Sequence, residues 1–201
     1  RTCLHSLEVQ TADPEIYEVL VVDNGPSERI AGLVTQLQSG PMRVRYAQES
    51  RRGVTYARRR AWKAALGEFV GYVDDDAVLH PGWVSSVVSA FARGGPSTVM
   101  VGGPVNNVSV LSEPWPFTDA PGRNGLDLGR DFRRVLPSED LWGCNLAIRR
   151  DILMALDAFG EPLGHRNRRA GANEDIIIQR QIERAGLDRC FDPALQVVHN
   201  S

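Results

Sequence analysis

Three adjacent aspartates, Asp74, Asp75 and Asp76, stand directly after the apolar run Phe69-Val70-Gly71-Tyr72-Val73. Neighbouring carboxylates repel one another, so they serve poorly as structural residues. A divalent cation relieves that repulsion, and hard carboxylate oxygens suit Mg²⁺ or Mn²⁺. A solvated acidic turn ahead of the next helix accounts for an isolated Asp-x-Asp as well, so the surrounding residues must discriminate. A second acidic pair, Glu174-Asp175, opens an amphipathic stretch whose Ile178, Ile182 and Ala185 share one face. A carboxylate held against a hydroxyl can take its proton. Two acids in a first helical turn also gain roughly 0.3–1 kcal/mol each from the helix dipole, with no chemistry involved. Asp23, at the end of another apolar run, and His199 complete the set of candidate ligands and bases. Trp115 and Trp142 offer faces on which a sugar could stack, although packing accounts for either.

These residues need elements to hold them. The apolar run from Phe69 that leads into these aspartates, in a stretch bounded by Gly67 and by Pro81-Gly82, reads as a buried parallel strand, and ligands of open α/β sheets bind where such strands end. Tyr17 to Val22 predicts a second strand, ending in the turn Asp23-Asn24-Gly25-Pro26-Ser27, with Ser27 placed to cap a helix. Arg43 to Ala47, Thr98 to Val101, Trp142 to Ile148, Cys190-Phe191 and Gln196 to His199 predict further extended pieces. Helices are expected over Thr2 to Val9, about Thr55 to Leu66, Trp83 to Arg93, Asp151 to Leu156 and onward from Asn173. In the Thr55 helix, Ala57, Ala61, Ala64 and Ala65 predict the sheet-facing side, with Arg58, Arg59 and Lys63 projecting elsewhere. From Gly102 to Pro137 the periodicity fails and a long loop is expected. Strand and helix alternate, which gives an α/β class with a mostly parallel sheet.

The chain of 201 residues, 42% of them hydrophobic, suffices for one substantial core. Its formal charge of −2 argues against general nucleic-acid binding. Arginines cluster at 51–52, 58–60, 133–134, 149–150 and 166–169, whereas Lys63 is the only lysine. Arginine forks suit phosphates and carboxylates, so these clusters could face anionic substrates or lipid headgroups, or simply decorate solvated faces. Three cysteines without metal-like spacing, Cys3, Cys144 and Cys190, favour a reducing compartment. No signal peptide, membrane-length apolar run or repeat is seen.

Five segments, in order and over nearly the whole chain, resemble the family-2 glycosyltransferases of GT-A fold. Glu18 to Ser27 is similar to the family's "eivvvDNgS", and Arg52-Gly53 through Asp76 to its "G…ARN…A.Ge…lDDD". Gly143 to Arg150 resembles "GaNmafrR", Gly171 to Asp175 resembles "gEDtdl", and Pro193 with His199 matches the "P.a.v.H" ending. The resemblance implies a Rossmann-like α/β/α sandwich. It further implies an inverting, metal-dependent transfer of a sugar from a nucleotide-diphosphate donor to an acceptor hydroxyl. Asp23 takes the position that meets the base. Asp74, with Asp75 and Arg58 beside it, falls on the donor side, Asp76 on the metal, and His199 where some members add a metal ligand. Asp175 matches the catalytic base, while Glu174 and Trp142 fall towards the acceptor.

The implied cofactor is Mn²⁺ or Mg²⁺, and the implied partners are a nucleotide sugar and a glycan, lipid-linked or small-molecule acceptor. A cytoplasmic location follows, with peripheral contact at the inner face of the membrane as an option. One catalytic domain is expected over 1–201, with a nucleotide-binding half to about residue 103 and an acceptor-binding half from 104. Two departures stand out. Arg59 occupies a place usually held by Asn, and the family's first strand with its "PtyNR" turn has no counterpart, so an N-terminally truncated domain is expected. Two alternatives remain at this level: a degenerate, non-catalytic sugar- or nucleotide-binding domain, and a haloacid-dehalogenase-type phosphatase built on Asp74 and Asp76. The latter needs a downstream lysine, and Lys63 lies upstream.

Overall fold

The computed structural model describes residues 2–25, 27–108, 125–160 and 174–200. Trp115, Phe117, Arg166 to Arg169 and Gly171 to Asn173 lie outside them. By contacts the chain divides into two compact units: Arg1–Ala12, Gly71–Ile148 and Gln179–Ser201 form one, and Asp13–Val70 with Arg149–Ile178 the other.

In the second of these units, β1 (Val19–Asp23) and β2 (Val44–Gln48) pair in parallel, Val19 opposite Val44 and Asp23 opposite Gln48. Parallel pairing needs a crossover, and helix α2 (Glu28–Leu37) supplies it. Ser27 starts that helix as expected, its hydroxyl accepting from the Ile30 N–H at 3.3 Å. Helix α3 (Val54–Ala64) follows, and its buried residues are Arg58 and Trp62. Arg58, read from the sequence as lying off the alanine side of this helix, is buried all the same. Its charge is tolerated there because Glu174 neutralises it, as described below.

In the other unit, helix α1 (Thr2–Glu8) buries Cys3 and Ser6. The Ser6 hydroxyl donates to the Cys3 carbonyl at 2.6 Å and accepts from the Leu79 N–H at 3.1 Å, so this buried polar residue is satisfied. The central strand stops at the aspartates, as its sequence predicts. Strand β3 (Phe69–Val73) ends at the aspartates and β4 (Ala77–Leu79) begins after them, in another sheet. Strand β3 buries Val70 and Tyr72 and, among the described residues, has a strand neighbour on one side only. Among the described residues it thus stands at the end of its sheet. Gly71 is required because a Cβ there would come 2.7 Å from the Trp83 ring. Helix α4 (Trp83–Gly94) is stopped by Gly95 at φ 75°, as its Gly-Gly-Pro ending predicts.

Strands β5 (Thr98–Gly102), β7 (Arg133–Arg134), β8 (Asn145–Arg149) and β9 (Asp188–Phe191) join β3 in the order β3-β8-β5-β9-β7. Strand β10 (Val197–Asn200) lies between β4 and β6 (Val105–Val108). The stretch expected to be a long loop thus contains β6, parallel to β10. The sheets are mixed: β5–β8, β7–β9 and β4–β10 run antiparallel, whereas β5–β9 and β6–β10 run parallel. Helices α5 (Arg150–Ala155) and α6 (Glu174–Arg184) complete the elements, α6 burying Ile178 and Ile182 on one face as its periodicity predicts. Among the described residues no helix is long and apolar enough to cross a membrane.

Candidate active site

The acidic turn and His199 come together in one unit. Strand β10 is fastened on both sides, with His199 opposite Ala77 of β4 and Asn107 of β6. The turn is closed by the Ala77 N–H on the Asp74 carbonyl at 3.1 Å and tied to β10 by the Asn200 N–H on the Asp76 carbonyl at 3.2 Å. His199 Nε2 then lies 3.1 Å from Asp76 Oδ1 and 3.7 Å from Asp74 Oδ2. Asp75 and Asp76 are exposed and Asp74 is half-buried. Two carboxylates that each approach one imidazole within 4 Å supply donors of the kind that fit Mn²⁺ or Mg²⁺.

Sequence reasoning missed a further neighbour. Cys144, buried at the start of β8, offers Sγ to the same place, and ligand atoms of Asp74, Cys144 and His199 all lie within 4.8 Å of one another. No CxxC-type spacing announces it; only the turn before β8 brings it there. That turn is held from behind by Asn145, which is fully buried. Its Oδ1 accepts from Trp83 Nε1 at 2.8 Å, and its Nδ2 donates to the carbonyls of Pro104 at 3.0 Å and Leu195 at 2.7 Å. One amide thus uses three hydrogen bonds to fix the start of β8 against two other segments.

Trp142 precedes this turn and is 36% exposed, so its ring is accessible. The backbone beside it is clamped by buried Gln179, which accepts from the Leu141 N–H at 2.8 Å and donates to the Leu141 carbonyl at 2.9 Å. Gln179 in turn accepts from Arg189 at 2.8 Å. Burial pushes the Arg189 guanidinium below its ordinary value, against the raising influence of Glu183 and Asp140. In the same unit Cys3 is pushed up to about 11 by burial and then by the charge of Asp75.

The remaining predicted residues belong to the other unit. Asp23 ends β1 and is nearly buried, its Oδ2 accepting from the Ser27 N–H and from Tyr46 Oη, both at 2.8 Å. Tyr46 is a second residue that the sequence did not reveal. Next to it, Asn24 fastens the following loop: Nδ2 donates to the carbonyls of Glu49 at 3.2 Å and Arg51 at 2.6 Å, and Oδ1 accepts from the Gly53 N–H at 2.7 Å. Gly53, at φ 135°, begins α3 in a backbone conformation that disfavours other residues. Within this loop Glu49 is held down at about 2 by the Arg51 side chain, then by the Arg51 N–H.

Arg58 on α3 reaches the start of α6, Nη1 lying 2.6 Å from Glu174 Oε1, and both side chains are about nine-tenths buried. The second oxygen, Glu174 Oε2, is buried and has no hydrogen-bond partner among the described residues. Asp175 follows, half-buried, with Oδ1 accepting from the Ile176 N–H at 3.0 Å. Arg59, in the position where the sequence departs from its pattern, binds both oxygens of Asp157, at 2.9 and 3.0 Å. Trp62 Nε1 donates to the Ala158 carbonyl at 2.9 Å. Together they staple a turn in which Asp157 and Phe159 are both left-handed, at φ 40° and 57°.

The sequence model for glycosyl transferase family 2 matches residues 1–157. The glucosyl-dolichyl phosphate glucuronosyltransferase of Haloferax volcanii is 23% identical over 201 residues, 98% of this chain and 62% of its own length. Among solved structures, TarS of S. aureus superposes with a TM-score of 0.73 at 16% identity, over 100% of this chain and 34% of that one. A crystal structure of GalNAc-T7 with UDP, GalNAc and Mn²⁺ gives 0.68 at 18% identity, over 98% of this chain and 40% of that one. The chain therefore spans under two thirds of each of these proteins. The two structural likenesses show its fold, which is GT-A.

Proposed function

Because the chain belongs to glycosyl transferase family 2, we propose that it moves a sugar from a nucleotide-diphosphate donor to an acceptor hydroxyl, inverting the anomeric carbon, with Mn²⁺ or Mg²⁺ as cofactor. The observation that carries this reading is the approach of His199 Nε2 to two carboxylates, 3.1 Å from Asp76 Oδ1 and 3.7 Å from Asp74 Oδ2. The residues present fit a divalent cation, Asp76 and His199 being its ligands. When bound, the cation neutralises the charge that gathers on the departing diphosphate.

The chain's own groups do the rest. Asp74 and Asp75 orient the ribose and the near edge of the diphosphate. Asp23 accepts from the base; its Oδ2 already takes two hydrogen bonds, so its position is fixed before the donor arrives. Asp175 takes the proton of the acceptor hydroxyl as that oxygen attacks the face opposite the diphosphate. Arg58, on the donor side, holds Glu174, which steadies the first turn of α6 beside Asp175. Trp142 offers its exposed ring to the acceptor.

A uridine diphosphate sugar is the donor favoured by the ligand of the GalNAc-T7 structure, and a lipid-linked acceptor by the name of the Haloferax relative. The chain acts as one catalytic domain, donor half to about residue 103 and acceptor half from 104, working on the cytoplasmic side with peripheral contact to the membrane surface. Family membership sets aside the phosphatase alternative.

Calorimetry with UDP, with and without Mn²⁺, on wild type and Asp76→Asn tests the metal assignment. The expected result is a metal-dependent gain in affinity in wild type only. An equal gain in both proteins removes Asp76 from the site. Metal-dependent UDP binding with no turnover of any nucleotide sugar favours the non-catalytic alternative.

A further inference from the structure

The thiol of Cys144 has no part in the transfer proposed above. It nevertheless shares a site with two of its groups: Asp74, Cys144 and His199 each bring one ligand atom within 4.8 Å of the other two. In a tetrahedral zinc site, with bonds of about 2.0–2.3 Å, ligand atoms stand roughly 3.3–3.8 Å apart. The His199 Nε2 to Asp74 Oδ2 separation of 3.7 Å is already at that spacing. The sulfur, within 4.8 Å of both, needs at most about 1–1.5 Å of closure, within reach of a side-chain torsion.

Three separately braced segments supply these atoms. Asp74 sits in a turn closed by the Ala77 N–H, His199 on a strand paired on both sides, and Cys144 beside the triply bonded Asn145. Bracing of this kind holds ligands in place before a metal arrives. A carboxylate and a thiolate with a neutral imidazole carry two negative charges, matching a divalent ion. The ligand set is softer than the one proposed for the donor metal, because sulfur replaces a carboxylate oxygen. Thiolate with imidazole selects Zn²⁺ over Mg²⁺ and Mn²⁺.

We propose that Asp74, Cys144 and His199 form a zinc-binding mode of this site, separate from the cation that assists transfer, and that zinc held there excludes the donor. On binding, the Cys144 S–H bond gives its proton to solvent and the sulfur lone pair goes to the metal, with no change of oxidation state. The zinc mode stands on the three ligands alone. Its inhibitory consequence rests on the donor-site reading, because it draws Asp74 and His199 away from the nucleotide and its cation.

Co²⁺ reports the mode directly, since thiolate-to-cobalt charge transfer absorbs in the near ultraviolet. Titration of metal-free wild type is expected to develop that band with saturation at one equivalent, and Zn²⁺ to abolish it. The band is expected to persist in Cys3→Ser and Cys190→Ser and to vanish in Cys144→Ser, which should bind zinc roughly tenfold or more weaker. Zinc-edge X-ray absorption on wild type, which needs no variant, is expected to show one sulfur among nitrogen and oxygen neighbours. No cobalt band, a band undiminished in Cys144→Ser, or a zinc shell without sulfur would each overturn the proposal. UDP calorimetry with Mn²⁺, with and without zinc, separates the two readings. A sulfur-containing zinc shell with UDP binding indifferent to Mn²⁺ sinks the donor-metal assignment and leaves the zinc mode standing. Mn²⁺-dependent UDP binding with no sulfur signature does the reverse.

Discussion

Replacing Glu174 by Ala tests the arrangement that most contradicted expectation, the buried arginine of α3. The pair it breaks is short, 2.6 Å, and both side chains are about nine-tenths buried. A charge-assisted hydrogen bond alone is worth about 1.5–3 kcal/mol. Removing one partner of a buried pair costs about 3–5 kcal/mol, because the remaining charge stays desolvated. Arg58 keeps a tenth of its surface in water and has further interactions, so the low end applies, about 3 kcal/mol. A domain has roughly 5–15 kcal/mol in hand, so the variant should fold while melting well below wild type. Urea unfolding should report the loss as a shifted midpoint at an unchanged slope. The companion double variant Arg58→Met with Glu174→Met removes both charges and should lie closer to wild type than the sum of the two single changes. A loss under about 1 kcal/mol for Glu174→Ala, with additive behaviour of the pair, would refute the claim that mutual neutralisation keeps Arg58 inside.

The proposed base should separate binding from chemistry: Asp175→Asn is expected to keep UDP affinity while turnover falls about 10²–10⁴-fold, and turnover within a few-fold of wild type would leave Asp175 a helix-terminal acid. Asn145→Ala strands one donor and two carbonyls in the interior and should cost about 3 kcal/mol or more in chemical unfolding; a loss under about 1 kcal/mol would show that water replaces those bonds. Glu49 and Glu139 are both held down at about 2 from an ordinary 4.5, by Arg51 and Arg133 respectively. A depressed folded-state value stabilises above the unfolded one, so this contribution is full above about pH 4.5 and is lost as pH falls towards 2. Melting temperature should therefore drop across that window, and less steeply in Glu49→Gln with Glu139→Gln; equal slopes would remove these two groups from the acid response.

The elements were legible where the chain marks its own boundaries. Asp23 and Asp74 end apolar runs in turn residues, and both strands stop there. Gly94-Gly95 stops α4, and Ile178 with Ile182 gives α6 its buried face. What stayed hidden depends on partners distant in sequence. An arginine on a helix reads as solvated, and Arg58 is buried only because a carboxylate 116 positions later meets it. Tyr46 reads as a strand residue until Asp23 is seen within 2.8 Å of its hydroxyl. Val105-Asn106-Asn107-Val108 has no alternation to announce a strand, and becomes one because β10 pairs along it. Cys144 carries no ligand spacing in sequence, since its neighbours in the cluster are 70 and 55 positions away.

The clasp made by Asn24 also bears on how the protein ages. An asparagine followed by glycine is the pair most prone to lose its side-chain amide, because the next backbone nitrogen can reach the carboxamide carbon and close a succinimide. Here the same amide that is at risk spans the loop: two carbonyls receive its hydrogens and the Gly53 N–H meets its oxygen. While those three bonds hold, the carboxamide is restrained and should age slowly. Each excursion that opens the loop exposes it, and a conversion to aspartate places a carboxylate against the Glu49 and Arg51 carbonyls with no hydrogen to offer them. The clasp would then not close again. Stored protein should lose the fastening at residues 49–53 before it loses its fold, a sequence of events that peptide mapping and melting curves on aged samples would read, and melting that falls first would reverse it.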